Sequence, residues 1–362
     1  MTRLGRWWFA PAPAERLAAL RIATGGFAAI WMIARLPEVV AVARLPAREL
    51  DPVGVVRVLG APLPVVAVVA IAVAAIGCLI AMTAGWRYRA TAPAAALGML
   101  WTLSYRNAWG MVFHTDNLLV LHVLALACAP AADAWAVRRS PRPRRPRGPA
   151  RPEASPPPSA PVVASEPAPP AATGRTRAAA GYGWAIKLLA ALTCATYLLA
   201  GIAKLRLAGL GWAGGEQLRN QIAVDNLRKA LLGGSTAPFA RLFVAHPRVL
   251  AMFAIATLGV ELGAPLGMLG GRVARLWAWA AWSFHVGVVL TMNVWFPYPL
   301  VGVAFFPLIH AERVIGGLVA RPRQWWHSRN AARPAPGTKP TTRGGVPGCE
   351  ADRGPAKQVR RD

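Results

Sequence analysis

The sequence predicts an all-α membrane protein: a polytopic transmembrane helical bundle of about eight spans in two groups of four, with cytoplasmic termini. Composition is the first reason, because 55% of the 362 residues are hydrophobic, only 15% are charged, and the mean hydropathy is +0.37. The second reason is that long apolar runs recur along the chain, and roughly 17 to 25 apolar residues are enough to cross about 30 Å of hydrocarbon. We therefore expect a multi-pass protein of the cell membrane.

Each predicted span is a near-continuous apolar run. The runs lie at 17–36, 63–84, 91–105, 115–131, 183–203, 249–270, 275–293 and 298–318. The third run is short and ends at Tyr105 and Arg106, so six to nine spans fit the pattern. The first run follows basic residues, as a secretory signal does. It is too long for a signal core and no small-residue cleavage pattern follows it, so we interpret it as an uncleaved span.

The net charge of +26 is distributed as membrane orientation requires rather than as nucleic-acid binding requires. Six arginines lie within 138–147, and a second basic cluster runs from Arg321 to Arg361. Eight spans with a cytoplasmic N-terminus place both clusters inside. The outer segment 204–248 is an exception because it is basic as well. Its pattern predicts amphipathic helices at the interface, which contact anionic lipid head groups. We expect membrane lipids as partners and no nucleic acid.

Changes in composition divide the chain into four parts. Residues 1–137 form the first membrane helical group and 181–320 the second, which includes the outer loop 204–248. Between them, 138–180 is a basic Pro/Ala-rich stretch with too few large apolar residues to form a core, so we predict a disordered cytoplasmic linker. Residues 321–362 predict a disordered basic tail for the same reason. Any site must therefore be built between membrane helices and their outer loops.

Lys204 is the leading candidate for chemistry because it ends an apolar run of membrane length. An ammonium at the edge of hydrocarbon loses hydration, which favours the neutral amine, and a neutral amine can act as a base. The alternative is a snorkelling lysine whose stem lies in lipid and whose ammonium lies among phosphates. Gly201 and Trp212 fit a close-packed turn at the interface under either interpretation.

His114 and Asp116 lie at the outer edge where the fourth predicted span begins, on the same side of the membrane as Lys204. An imidazole and a carboxylate at this place can hold the lysine neutral or stabilise a developing oxyanion. The alternative is structural, with Asp116 or Asn117 capping the first backbone N–H groups of the helix.

Glu261 falls within the sixth predicted span and His285 at similar depth in the seventh. A carboxylate at this depth is costly unless it is protonated or paired, so we predict a Glu261–His285 pair that faces the bundle interior. The alternative is a buried hydrogen bond that only fixes helix packing.

Metal and disulfide sites are not predicted. Three cysteines fall inside predicted spans and one in the tail: Cys78, Cys128, Cys194 and Cys349. That placement gives no outer disulfide framework and no zinc motif. His122 follows His114 by a distance of about 12 Å on a straight helix, which is too far for both to bind one metal ion.

Four stretches of the chain carry a family resemblance. They are R-x-x-x-G at Arg21–Gly25, HTDNLLVL at His114–Leu121, YLLAGIAKL at Tyr197–Leu205 followed by G-x-x-W-x-x-G-x-x-L with Trp212, and the later FH…MNVWFPYPLVGVAFFP. Together they resemble the HTTM domain, the membrane part related to vitamin K-dependent gamma-glutamyl carboxylase. The resemblance covers about 16–318, and Tyr197–Leu205 with Trp212 is its most specific part.

The resemblance implies a reduced quinone as cofactor, either menaquinone or a vitamin K-like quinone. In the carboxylase, the lysine of the matching segment deprotonates the reduced quinone, and this role falls on Lys204. A histidine in the carboxylase loop falls on His114 or Asp116, depending on register. The family then forms an oxygenated quinone alkoxide that takes a proton from a glutamyl carbon, to which carbon dioxide adds. The animal enzyme binds its protein substrate through a large lumenal domain after the helices. This chain has only a basic tail there, so a protein substrate is doubtful.

Two classes of function follow from these observations. The first is a carboxylase-like membrane enzyme or quinone-dependent oxidoreductase, in which Lys204 is the base and His114 and Asp116 assist it. Its pocket is formed by Tyr197, Trp212, Glu261 and His285. The second is a non-enzymatic protein that handles lipids or solutes, in which the same polar residues line a passage or bind head groups. A scaffold that acts through the linker and tail is a third, weaker alternative.

Overall fold

The computed structural model describes residues 2–110, 112, 115–137 and 180–317. All of these belong to one compact unit, 1–318, and a second unit comprises 319–362. The predicted linker up to residue 179 and the predicted tail lie outside the described residues.

The described chain is helical, with no β-strand in these ranges. The α-helices are α1 (Arg3–Trp8), α2 (Ala14–Val42), α3 (Val65–Ala84), α4 (Tyr88–Arg106), α5 (Asn117–Ala127), α6 (Ala180–Ala208), α7 (Glu216–Leu231), α8 (Ala240–Val244), α9 (Pro247–Leu262), α10 (Gly271–Met292) and α11 (Pro297–Leu300). Short 3₁₀ helices occur at Ala47–Glu49, Gly54–Val58, Gly209–Gly214, Ala264–Leu269 and Val303–Leu308.

Four helices are long and apolar enough to cross a membrane. They are Ala14–Val42, Val65–Ala84, Ala180–Gly214, which counts the 3₁₀ turn that continues α6, and Gly271–Met292. These helices support an integral membrane protein, as the composition predicts. The helix α5 is shorter, at 11 residues, and α9 has 16.

Two of the predicted spans are interrupted. The run 249–270 is helical only as far as Leu262, and it continues as a 3₁₀ helix that contains Pro265. The run 298–318 is not one helix but α11, a 3₁₀ turn, and a further helical stretch at 311–317. Proline removes a backbone donor and clashes with the preceding turn, and Pro299 and Pro307 both fall in this run. Gly302, at φ 80°, reverses the backbone between them.

Helices from both sides of the undescribed stretch 138–179 share one core. Its largest buried cluster contains Leu17 of α2, Leu79 of α3, Met99 of α4, Leu126 of α5 and Leu189 of α6. Residues after α11 belong to the same cluster. The two predicted groups of helices therefore pack against each other within the first unit.

Arg21 joins three separate segments although its side chain is fully buried. Its Nε donates to the carbonyl oxygen of Thr83 at 3.2 Å, near the end of α3. Its Nη1 donates to Ala131 at 2.8 Å and Ala134 at 3.2 Å, and its Nη2 donates to Trp135 at 2.8 Å. A guanidinium satisfies several carbonyls at once because its donors form a planar fork. The cation thereby ties α2 to α3 and to the turns after α5.

Gly25 completes the same contact one turn along α2. A Cβ at this position would lie 2.5 Å from Thr83 Oγ1, so only glycine lets α2 and α3 approach this closely. The Arg21–Gly25 motif of the sequence is thus accounted for by helix packing.

The segment 204–248 packs against the end of α10. The amide of Asn226 on α7 donates to the carbonyl of Thr291 at 3.0 Å and accepts from the backbone of Ala237 at 2.7 Å. Lys229 bonds Asp225 at 2.6 Å and also donates to the carbonyl of Met292. These contacts hold α7 against the end of α10, beside the candidate site.

Replacing Arg21 with lysine tests this role. Lysine keeps the charge but has no planar fork, so at least two charge-assisted hydrogen bonds to carbonyls are lost. We expect Arg21→Lys to lower the free energy of unfolding by about 3 kcal/mol. Denaturant unfolding in detergent, followed by tryptophan fluorescence, measures the change. Arg44→Lys at an exposed position is the control, and equal stability of the two variants would contradict the assignment.

Candidate functional site

A cavity of about 400 Å³ lies between α6, α9, α10 and α11. Its walls are mostly apolar or aromatic, and a few polar side chains converge on it. Four of the predicted site residues line it: Tyr197, Lys204, Glu261 and His285. The other lining residues are Thr115, Leu118, Thr196, Ala200, Gln221, Phe284, Val288, Met292, Val294, Phe296, Tyr298 and Pro299. Ligand sites are typically apolar clefts with a few convergent polar groups, and this cavity has that character.

The central contact is an ion pair in which Lys204 Nζ donates to Glu261 Oε1. The Glu261 side chain is 3% exposed and the Lys204 side chain 22%, so the pair lies at the wall of the cavity. The predicted partner of Glu261 was His285, and the structure corrects this. Glu261 is the penultimate residue of α9 rather than mid-helix, where it meets the end of α6.

Gly201 makes this meeting possible. A Cβ at 201 would lie 2.9 Å from Glu261 Cβ and 2.9 Å from the Leu262 side chain, so any side chain would force α9 away from α6. Gly201 lies one turn before Lys204 on the same helix. The glycine therefore sets the separation of the carboxylate and the ammonium.

Two aromatic rings also contact the ammonium. Lys204 Nζ lies 5.0 Å from the centre of the Trp212 ring and 5.6 Å from that of Phe284. Such contacts favour the cation through the ring quadrupole. Trp212 is buried and backs the lysine without lining the cavity. The surroundings of the Lys204 Nζ are therefore one carboxylate and two aromatic rings.

Tyr197 and His285 form a second polar pair in the cavity wall. The Tyr197 hydroxyl and His285 Nε2 are 2.6 Å apart, and both side chains are buried. Two buried atoms of these pairs, His285 Nδ1 and Glu261 Oε2, have no hydrogen-bond partner within the described part of the chain. Buried polar atoms are normally satisfied, so an unpartnered donor or acceptor in a cavity wall indicates a place for a polar ligand group.

Asp116 does not contact Lys204. Its Oδ1 accepts from Trp31 Nε1 at 2.8 Å and its Oδ2 accepts from Arg106 Nη1 at 3.1 Å. It precedes α5 without a side-chain capping bond. The prediction that Asp116 assists the lysine is therefore not met, because the Asp116 carboxylate forms an ion pair with the buried Arg106. His114 lies outside the described residues, although its neighbour Thr115 lines the cavity.

Tyr298 is a site residue that the apolar pattern of the sequence does not single out. Its hydroxyl lies 2.7 Å from His122 Nδ1 and 3.2 Å from Thr24 Oγ1. His122 Nε2 in turn lies 3.0 Å from the carbonyl oxygen of Leu189 and 3.2 Å from Thr193 Oγ1. These bonds hold Tyr298 at the cavity wall. The available signal was the FPYPL break, since a proline-flanked aromatic within an apolar run marks irregular backbone that lines a cavity.

The described residues contain no group of three or more His, Cys, Asp or Glu side chains that could hold a metal ion. The proton-bearing side chains of the cavity wall are the Lys204–Glu261 pair, the Tyr197–His285 pair and Tyr298. Proton transfer within such pairs needs donor and acceptor atoms at hydrogen-bond distance, a condition that both pairs meet.

A double-mutant cycle tests the ion pair. Lys204→Met or Glu261→Gln alone leaves one polar partner uncompensated in the cavity, whereas the double variant leaves no net charge there. We expect a coupling energy of about 1 to 3 kcal/mol in unfolding stability. The cycle of Glu261→Gln with His285→Gln is the comparison and should give a smaller value, because neither side chain bonds the other. A larger value for the second cycle would restore the Glu261–His285 pairing.

Comparisons with known proteins give this site no relative. No family model, no curated protein and no solved structure matches the chain. The resemblance to the HTTM domain therefore has no support from these comparisons, and the function must be argued from the cavity itself.

Proposed function

We propose that this chain is an integral membrane enzyme that binds a reduced, lipid-soluble quinone in the cavity and takes a proton from its hydroxyl through the Lys204–Glu261 pair. The observation that carries the proposal is this buried ion pair in the wall of an otherwise apolar cavity. Ionisable groups inside a membrane protein are costly and are a functional-site hypothesis by default. The HTTM-like motif around Lys204 supports the same choice of ligand.

The Lys204–Glu261 pair can accept one proton from a ligand, because the positive charge that the pair gains lies beside the negative charge that the ligand keeps. Before reaction the ammonium of Lys204 and the carboxylate of Glu261 are together neutral. When the Lys204 proton shifts along the existing hydrogen bond to Glu261 Oε1, the Lys204 amine gains a free lone pair. The amine then accepts the proton of an acidic ligand hydroxyl. The pair ends with one positive charge, which stabilises the negative charge left on the ligand oxygen.

The cavity fits an aromatic diol in shape and polarity. Phe284, Phe296 and Tyr298 offer aromatic faces in its walls, and most of its other lining residues are apolar. The unpartnered Glu261 Oε2 can accept a hydrogen bond from a ligand hydroxyl, and His285 Nδ1 can form a hydrogen bond with a ligand oxygen. A reduced quinone supplies both hydroxyls and, on oxidation by dioxygen, the electrons for a redox step. The later carbon chemistry of a carboxylase has no support in the cavity and is not part of this proposal.

We place the protein in the cell membrane with eight crossings and cytoplasmic termini, on the distribution of basic residues. A fluorescent protein that folds only in the cytoplasm and a phosphatase active only outside, each fused after residue 362 or inserted after Leu232, test this topology. We expect fluorescence from the terminal fusion and phosphatase activity from the insertion. The reverse pattern would invert the orientation.

Retention of quinone is the direct test of the ligand. Mass spectrometry of lipids that co-purify with the detergent-solubilised protein should find a quinone with the wild type and at least a tenfold depletion with Lys204→Ala, about 1.4 kcal/mol of binding. Lys229→Ala is the matched control. Lys229 is equally exposed (21% against 22%), is paired with a carboxylate, and does not line the cavity.

The outcomes separate the two classes of function. Quinone retained by the wild type and by Lys229→Ala but not by Lys204→Ala supports the proposal. Ordinary phospholipid alone in all three samples overturns it and favours the non-enzymatic lipid- or solute-handling protein.

Lys204→Arg separates binding from proton transfer. A guanidinium keeps the ion pair but does not give up its proton, so the variant should retain quinone and yet lose catalysis. We expect oxygen uptake with reduced menaquinone to fall about 100-fold or more, the usual contribution of a general base. An oxygen electrode measures the rate, with Lys229→Arg as control. Full activity in Lys204→Arg would eliminate the lysine as base.

A further inference from the structure

A second cavity, of about 460 Å³, lies near the other end of α6. We name it the basic cavity. Lys187 in its wall precedes Lys204 by about 26 Å of helical rise, so the two cavities are separate sites. The basic cavity lies where α2, α6 and α10 begin, and the segment 307–313 closes its remaining side.

Four basic side chains line the basic cavity, and no acidic side chain is among its lining residues. The cations are Arg16, Lys187, Arg275 and Arg313, and His310 adds an imidazole. One carboxylate beside the cavity is that of Glu312, whose Oε1 lies 3.1 Å from His310 Nδ1 and which attracts Arg16 electrostatically. One carboxylate cannot neutralise four cations, so the cavity keeps a positive potential.

Arg16 is held in place, but not all of its N–H donors have a hydrogen-bond partner. Its Nη2 donates to the carbonyl oxygens of Pro307 at 3.2 Å and Ile309 at 3.0 Å, which fixes the guanidinium against the segment 307–313. Its Nε is buried and has no hydrogen-bond partner within the described ranges. The guanidinium thus retains donor capacity, which suits an anion with several oxygens.

Lys187 has no anionic partner among the described residues. Its Nζ lies 4.0 Å from the centre of the Trp7 ring, a cation–π contact. Arg16 is close enough to repel it. Two partly buried cations without a carboxylate between them destabilise each other, and an anion placed between them would remove that repulsion.

The wall between Ala10 and α6 is built by close backbone packing. A Cβ at Gly183 would lie 1.8 Å from the carbonyl oxygen of Ala10, so the segment between α1 and α2 lies directly on α6. The cavity is therefore a preformed feature of the packed helices rather than a gap between mobile side chains. Apolar residues, including Ile186, Met268 and Leu308, make up much of the remaining wall.

We propose that the basic cavity binds a phosphate-bearing anion, and that its source is the head group of an anionic phospholipid. Arginine and lysine clusters recognise phosphate oxygens through charge-assisted hydrogen bonds. The cavity lies at the ends of three of the four helices that can cross a membrane, which is the level of lipid head groups. Its apolar wall offers a path for the first part of an acyl chain. This site does not depend on the proton chemistry at Lys204.

Binding to the purified, delipidated protein tests the proposal. Native mass spectrometry should show phosphatidylglycerol bound from mixed micelles at least tenfold more tightly than phosphatidylcholine. Lys187→Gln with Arg313→Gln should remove about that tenfold preference, because two of the four cations are lost. The control is Arg48→Gln with Arg57→Gln, which removes two exposed cations outside the cavity and outside the segment 204–248, and should leave the preference unchanged. Arg313→Gln alone, at an exposed position, gives an intermediate value without risk to the fold.

The source of the phosphate is decided in the same experiment. If inorganic phosphate displaces phosphatidylglycerol at low millimolar concentration, and the cavity variants abolish that displacement, a soluble phosphate compound rather than a lipid is the ligand. Equal binding of both lipids to the wild type with no competition by phosphate would overturn the site. An equal loss in the cavity and control variants would also overturn it, because that result reflects net charge alone.

Discussion

Burial of the Arg21 guanidinium is the interaction on which the first half of the fold depends. A lone cation inside a helical bundle is expensive, and here its cost is offset by carbonyl oxygens at the end of α3 and in the turns after α5. The Thr83 carbonyl lies in the last turn of α3, where carbonyls have no intrahelical donor, and the others lie in turns. One side chain from α2 therefore donates hydrogen bonds to carbonyls at the end of α3 and in the turns after α5, and the shared core packs around it.

The helix α6 carries the functional groups of the second half. Lys187 near its beginning and Lys204 near its end are separated by almost the full length of an apolar span, and each lies in a cavity of its own. Their surroundings differ in kind. Lys204 has a carboxylate and two rings, which suits exchange of a proton. Lys187 has a ring and a neighbouring cation, which suits attraction of an anion.

Apolar runs predict the helices α2, α3, α6 and α10 well because a run long enough to cross hydrocarbon has to satisfy its backbone internally. The same measure misses the break at 298–318, since hydropathy counts side chains and ignores the backbone donors that proline removes. The pattern of apolar residues does not predict which polar side chains pair with each other. Glu261 lies 57 residues from Lys204 in sequence, and Asp116 lies 85 residues from Trp31. Only the packing of one helix on another decides these pairs.

The close contact at Gly201 has a consequence for how such a site can change over time. Position 201 has no side chain, touches no ligand, and would attract no attention as a chemical group. Yet the addition of a single methyl group there would push α9, which carries Glu261, away from α6 and lengthen the distance between Glu261 and Lys204. Mutational tolerance at 201 should therefore be lower than at many cavity-lining positions. The separation of Lys204 and Glu261 is therefore set by a residue that has no side chain.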